Sequence, residues 1–140
     1  MKVVLDTSVI VAAVRSRQGA SNRALQMAFA GSFKILATPA LFLEYEEVLE
    51  RPEQSAVHGM SPAQTSAFLI GLAAIIEPVR VYYQWRPQMQ DTDDEMVLET
   101  ALNGRADAIA THNLRDFISP ASKFSVRVWS PVDLVKEASR

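Results

Sequence analysis

MKVVLDTSVIVAAV, residues 1–14, is the stretch whose reading decides the fold. Val3, Val4 and Leu5 form a continuous apolar run, which suits a central strand buried on both faces. Asp6 closes that run, and Thr7-Ser8 can cap a helix over residues 9–14. In an open α/β sheet, ligands bind in the crevice where a strand stops and the next helix starts. An acid at that junction is a metal ligand, a residue of phosphate chemistry or a helix cap. The choice among these depends on whether other acids converge on it.

The remaining chain alternates in the same way. Residues 21–30 read as a helix with Gly31 in the C-terminal cap position, followed by a strand over 33–37. Thr38-Pro39 is a helix start, a hydroxyl cap with proline at the first helical position, and the helix runs to about residue 51 before Pro52. Residues 53–59 carry no clear signal. Ser61-Pro62 repeats the start signal and opens an apolar helix to about residue 77, ended by Pro78. A strand over 79–83 and a loop over 84–90 come next. Thr92 with Glu95 three residues on reads as a capping box for a helix over 93–103 with Gly104 after it. Strands over 108–111 and 124–129 and a last helix from Ser130-Pro131 complete the chain. Short Val/Ile-rich strands separated by helices predict a three-layer α/β/α domain over residues 1–140. Its central sheet is five-stranded and mostly parallel.

Composition narrows the chemistry. At 140 residues and 49% hydrophobic content the chain can bury a real core. Its apolar runs fall short of the ~18 residues a membrane span needs, and Asp6 interrupts any signal-peptide core. With no cysteine, disulfides and thiolate metal sites are excluded and a cytoplasmic, reducing setting is expected. A net charge of -2 argues against a purely electrostatic nucleic-acid binder, though not against a nuclease that holds phosphates through metals and a few arginines.

Among the acids, Asp94 is the most informative. Val97, Leu98 and Ala101 lie three, four and seven positions after it, so its carboxylate sits on the stripe that packs against the sheet. A lone acid there costs several kcal/mol unless something cationic meets it. Asp91, Asp93 and Glu95 already satisfy the helix dipole, which favours a functional role for Asp94. Glu44 borders the apolar stripe of Leu41, Phe42, Tyr45, Val48 and Leu49; an ordinary edge glutamate reads equally well from periodicity alone. The fourth strand ends in Thr111-His112-Asn113-Leu114-Arg115-Asp116, where Asn113 or Asp116 can supply an oxygen to the crevice of Asp6 or simply cap a turn. Asp107, at the other end of that strand, reads as a turn or cap residue.

Other chemistries drop out. His58 and His112 share no zinc-ligand spacing. No glycine-rich nucleotide loop, nucleophile elbow or cysteine nucleophile is present. Carboxylates, hydroxyls and an amide remain, a set that matches Mg²⁺ or Mn²⁺.

The sequence resembles the PIN domain family of metal-dependent ribonucleases, many of them toxins of bacterial toxin–antitoxin pairs. LDTSVIVAAV resembles the opening strand and helix of that family, and TPALFLEYEEVL its second segment, with Glu44 at the family's glutamate. DTDDEMVLETALNGRADAIATHNLRDF resembles the third and fourth segments, with Asp94 at the third acid position. Many members carry Asp where this chain has Asn113; the subgroup with a T-x-N-x-x-D-F ending is more similar, and there Asp116 takes the fourth place. The resemblance implies that Asp6, Glu44, Asp94 and Asp116 hold one or two Mg²⁺ or Mn²⁺ ions, with Ser8 and Asn113 in support. It also implies RNA cleavage leaving 5′-phosphate and 3′-hydroxyl ends, a homodimer, and an antitoxin protein that covers the acid crevice.

Arg15, Arg17, Arg23 and Arg115 are candidates for steering substrate phosphates. The rival expectation is a protein-binding module on the same fold, using apolar residues around Phe68, Tyr82, Tyr83 and Trp85. A phosphatase of the haloacid dehalogenase type ranks behind both, since its second Asp, two residues after the first, is Ser8 here.

Overall fold

The computed structural model describes residues 1–84, 86 and 88–140. In chain order the elements are β1 (Lys2–Leu5), α1 (Thr7–Arg15), α2 (Ala20–Phe29), β2 (Lys34–Ala37), α3 (Pro39–Glu50), α4 (Pro52–His58), α5 (Pro62–Ile75) and β3 (Ile76–Pro78). They continue with α6 (Thr92–Gly104), β4 (Ala108–Ala110), α7 (Leu114–Ser122), β5 (Arg127–Trp129) and α8 (Pro131–Ala138). The five strands form one sheet in the order β3-β2-β1-β4-β5, every pairing parallel. This is the expected three-layer α/β/α architecture. β1 lies at its centre, with Val3, Val4 and Leu5 fully buried as the apolar run requires.

Topology follows from handedness. The chain runs from β1 outward through β2 to β3 and returns to β4 on the other side of β1, and the right-handed crossover rule for parallel strands restricts where the connecting helices can lie. α2 packs against α1 and α8, while α6 packs on β1, β2 and β4 beside α7. The strand order reverses between β1 and β4, so the crevice beyond their carboxyl ends is the switch point where such sheets bind ligands.

Several boundaries differ from the sequence reading. The third strand is Ile76–Pro78 and not 79–83: Ile75-Ile76 prolongs the apolar pattern of α5, but the chain turns into an edge strand there. Proline is tolerated at such an edge because a missing N–H breaks no ladder. Pairing then continues only to the Val79 N–H, which donates to the Ala37 carbonyl at 2.9 Å. The unclear stretch forms α4, which buries none of its residues and so leaves no apolar periodicity to read; Gly59 ends it at φ +70°. A helix after β4, α7, was not expected, and α1 begins at Thr7 with Asp6 as its N-cap, so Thr7 and Ser8 are not the caps. Gly104 closes α6 where a Cβ would come within 2.9 Å of Leu36 and Val79, so helix and sheet approach that closely only with glycine there.

Candidate active site

Asp6 stands at the end of β1, its N–H bonded to the Ala110 carbonyl of β4 at 2.9 Å. Its side chain is 6% exposed. Oδ2 accepts two hydroxyl hydrogen bonds, from Ser8 Oγ and from Thr111 Oγ1, each 2.7 Å. Both fall on one oxygen, which orients the carboxylate. The hydroxyls are themselves fixed: the His112 N–H donates to Ser8 Oγ at 3.2 Å and the Asn113 N–H to Thr111 Oγ1 at 2.9 Å. The ends of β1 and β4 are thus tied together through the acid between them.

Glu44 comes from α3, whose start is set by Thr38 Oγ1 accepting from the Leu41 N–H at 3.2 Å. Tyr45, fully buried, donates its phenol hydrogen to the Leu5 carbonyl, the last of β1, and so fixes α3 beside Asp6. Glu44 Oε2 accepts from Thr7 Oγ1 at 2.7 Å. Burial raises the Glu44 carboxyl to about 7 against the lowering effect of the Thr7 hydroxyl, and a hydrogen bond and charge from Asp93 and the charge of Asp6 add to the rise.

α6 supplies Asp94, half-buried in the first turn. Burial raises its carboxyl to about 7 as well, and the charges of Asp6, Asp91, Asp116 and Asp93 push in the same direction. Asp116, exposed in the first turn of α7, lines one cavity with Asp91 and Asp94. Asn113 is the N-cap residue of α7, and its side chain makes no cap bond.

Asp6, Glu44, Asp94 and Asp116 therefore come from four separated segments and influence one another across a single crevice, with Ser8 on Asp6 and Asn113 on the adjoining turn. The arginines divide. Arg115 lines the cavity with Asp116. Arg15 lies at the far end of α1, about 12 Å along the helix from Thr7, and donates to Gln54 at 3.0 Å. Arg17 lines a different groove with Phe29 and Phe68. Both histidines are engaged elsewhere, His58 with the Leu49 carbonyl and His112 with Ser21.

Three contributors were missed in the sequence. Asp93, read as a dipole residue, faces Glu44. Thr111 and Thr7 hold the two acids; a hydroxyl within two residues of the end of each strand's apolar run was the available signal. The Thr92–Glu95 capping box is absent. Asp91 caps α6 by accepting from the Asp93 N–H at 2.8 Å, and Glu95 is buried. Glu95 Oε1 accepts from the Gln88 and Met89 N–H groups at 2.5 and 2.7 Å. One and two turns on, Glu99 pairs with Arg86 at 2.5 and 3.0 Å, and Asn103 bonds the Tyr82 and Tyr83 backbones. Spaced four apart, these three side chains lie on one face of α6 and hold the connection from β3 against it. Of the apolar surface expected there, Tyr82 and Tyr83 are exposed and Phe68 half-buried, while Trp85 lies outside the described residues.

The donor set suits a hard divalent cation: every candidate ligand is an oxygen, and two carboxyls are held near neutrality by burial and by neighbouring acids that a cation would relieve. Among the described residues, no three His, Asp or Glu side chains are drawn together tightly enough to form a ready-made metal cage.

An acid-lined crevice at the switch point of a parallel sheet is a place for phosphate or metal chemistry. Residues 2–115 match the family profile described as PIN domain, and the chain belongs to that family. PIN domains are generally nucleases that use divalent metal ions. The match ends one residue before Asp116. No curated protein matches the chain. Among the described residues no helix is long and apolar enough to cross a membrane.

Proposed function

We propose that this chain is a metal-dependent endoribonuclease and the toxin of a toxin–antitoxin pair. The observation that carries the reading is the convergence of Asp6, Glu44, Asp94 and Asp116, two of them raised to about 7 by burial among other acids. In this reading the four carboxylates, with Ser8 and Asn113, hold Mg²⁺ or Mn²⁺. The ion supplies an activated water and charge neutralisation at the phosphate when bound. The chain's own residues do the positioning. Ser8 and Thr111 fix the Asp6 carboxylate, Thr7 and Tyr45 fix Glu44 beside it, and Arg115 offers a cation to an RNA phosphate. The P–O3′ bond breaks as water adds to phosphorus, giving 5′-phosphate and 3′-hydroxyl ends.

Purified protein should cut single-stranded RNA in Mn²⁺, stop in chelator, and lose activity in Asp6→Asn and Asp94→Asn while both variants stay folded. Equal cutting by the parent and both variants overturns the assignment. The toxin role predicts that induced expression arrests growth and that Asp6→Asn relieves the arrest. An antitoxin protein, a homodimer and a cytoplasmic location belong to the same proposal. A second reading, a protein-binding module with weak or no nuclease activity, draws on Tyr82 and Tyr83, 72% and 64% exposed. It prevails if metal-dependent cleavage is absent and a partner protein protects those two tyrosines.

A further inference from the structure

The acids are only part of the lining of the cavity that Asp94 and Asp116 share. Its volume is about 480 Å³, within the range of sites that enclose a small molecule. The rest of the lining is Gln88, Met89, Gln90, Arg115 and Pro120. These residues bring neutral amides, a thioether and a proline ring with a single guanidinium, a poor match for a second phosphate next to three acids. They are a good match for a flat, neutral heterocycle: glutamine amides pair with donor and acceptor on a base edge, and apolar groups and guanidinium planes accept its faces.

The wall is also built in place. Glu95 holds the Gln88 and Met89 backbones, Glu99 holds Arg86, and Lys123 Nζ donates to Gln88 Oε1 at 3.5 Å. Two carboxylates nearly buried on a helix are thus committed to fixing two wall residues, Gln88 and Met89, and the nearby Arg86. Arg115, one residue from Asp116, forms no ion pair among the described residues.

We propose that this cavity is a subsite for one unpaired RNA base adjoining the scissile phosphate. Gln88 and Gln90 read its edge, Met89 and Pro120 flank it, and Arg115 meets the neighbouring phosphate. The segment from Gln88 to Gln90 then sets which RNA is cut, while the acids set that it is cut. Glu95 and Glu99 are positioning residues that act through this wall. The proposal rests on the nuclease reading above.

The test is a single-stranded RNA pool, randomised in sequence and cleaved in Mn²⁺, with the cut ends sequenced for the parent, Gln88→Ala, Gln90→Ala and Arg115→Ala. The expected result is a parent preference at one position beside the cut of about tenfold or more. At least one glutamine variant reduces it to within about twofold, and Arg115→Ala raises KM with the preference retained. Glu99→Gln should blur the same position without changing Mn²⁺ affinity, which a purely structural role would not do. Profiles of both glutamine variants that overlay the parent's overturn the subsite. If the parent cuts no better than Asp6→Asn, the nuclease reading has failed instead. The subsite is then judged by binding of a labelled single-stranded oligonucleotide, where equal affinities of parent and glutamine variants overturn it.

Discussion

Two pairs of acids on α6 lie within two turns of each other and have opposite fates. Glu95 and Glu99 are 4% and 5% exposed, yet each has partners: backbone N–H groups for the first, a guanidinium for the second. Asp93 and Asp94 are more exposed, but the charges set against them belong to other acids. Burial alone therefore does not mark a functional carboxylate. The distinguishing feature is the absence of a cationic partner among acids that face one another, which leaves a negative field that an incoming cation can neutralise.

That contrast can be broken in three places. The largest effect is on chemistry: Asp94→Asn should lower Mn²⁺-dependent RNA cleavage by about a hundredfold or more, and a loss under tenfold in a single-turnover assay removes Asp94 from the site. Next is stability on the partnered side. Glu99→Gln strips a charge-assisted bond from a buried position and should cost about 2 kcal/mol in urea unfolding; Asp94→Asn should show no such loss.

The smallest effect has the opposite sign. The folded-state value of Asp94, about 7, lies above its ordinary 3.8, so the folded chain binds that proton more tightly than the unfolded one. Stability is then lost as pH rises from about 4 to about 7 and stays lost above it. In metal-free buffer Asp94→Asn should stabilise the protein at pH 8 by about 1 kcal/mol, a figure reduced for solvent screening because the group is only partly buried. The gain should shrink at pH 5 and vanish near pH 4. A parent whose melting temperature is flat across that range denies the carboxyl its raised value.

Where local chemistry decides the outcome, the sequence was readable. β1 and its closing acid, the Thr38-Pro39, Ser61-Pro62 and Ser130-Pro131 helix starts, and the placement of Asp94 on the packing stripe all emerge as expected. Each depends on neighbours within a turn or two. The misreadings lie where a distant partner decides. Glu95 fits a capping box by spacing, but the competing donors are the backbones of Gln88 and Met89, and they win. The third strand is fixed by pairing with β2 and not by its own pattern, and three-residue strands carry too little alternation to place. Thr111 and Thr7 reveal their roles only when Asp6 and Glu44, 105 and 37 residues away, are brought to them.

The ladder of Glu95, Glu99 and Asn103 has an evolutionary consequence. It fastens a loop to a helix from behind, through backbone groups and one arginine, and asks little of the side chains the loop displays. On the proposed subsite, mutations accumulating at Gln88, Met89 or Gln90 would retarget a lineage while the acids carried by β1, α3, α6 and α7 pass on unaltered.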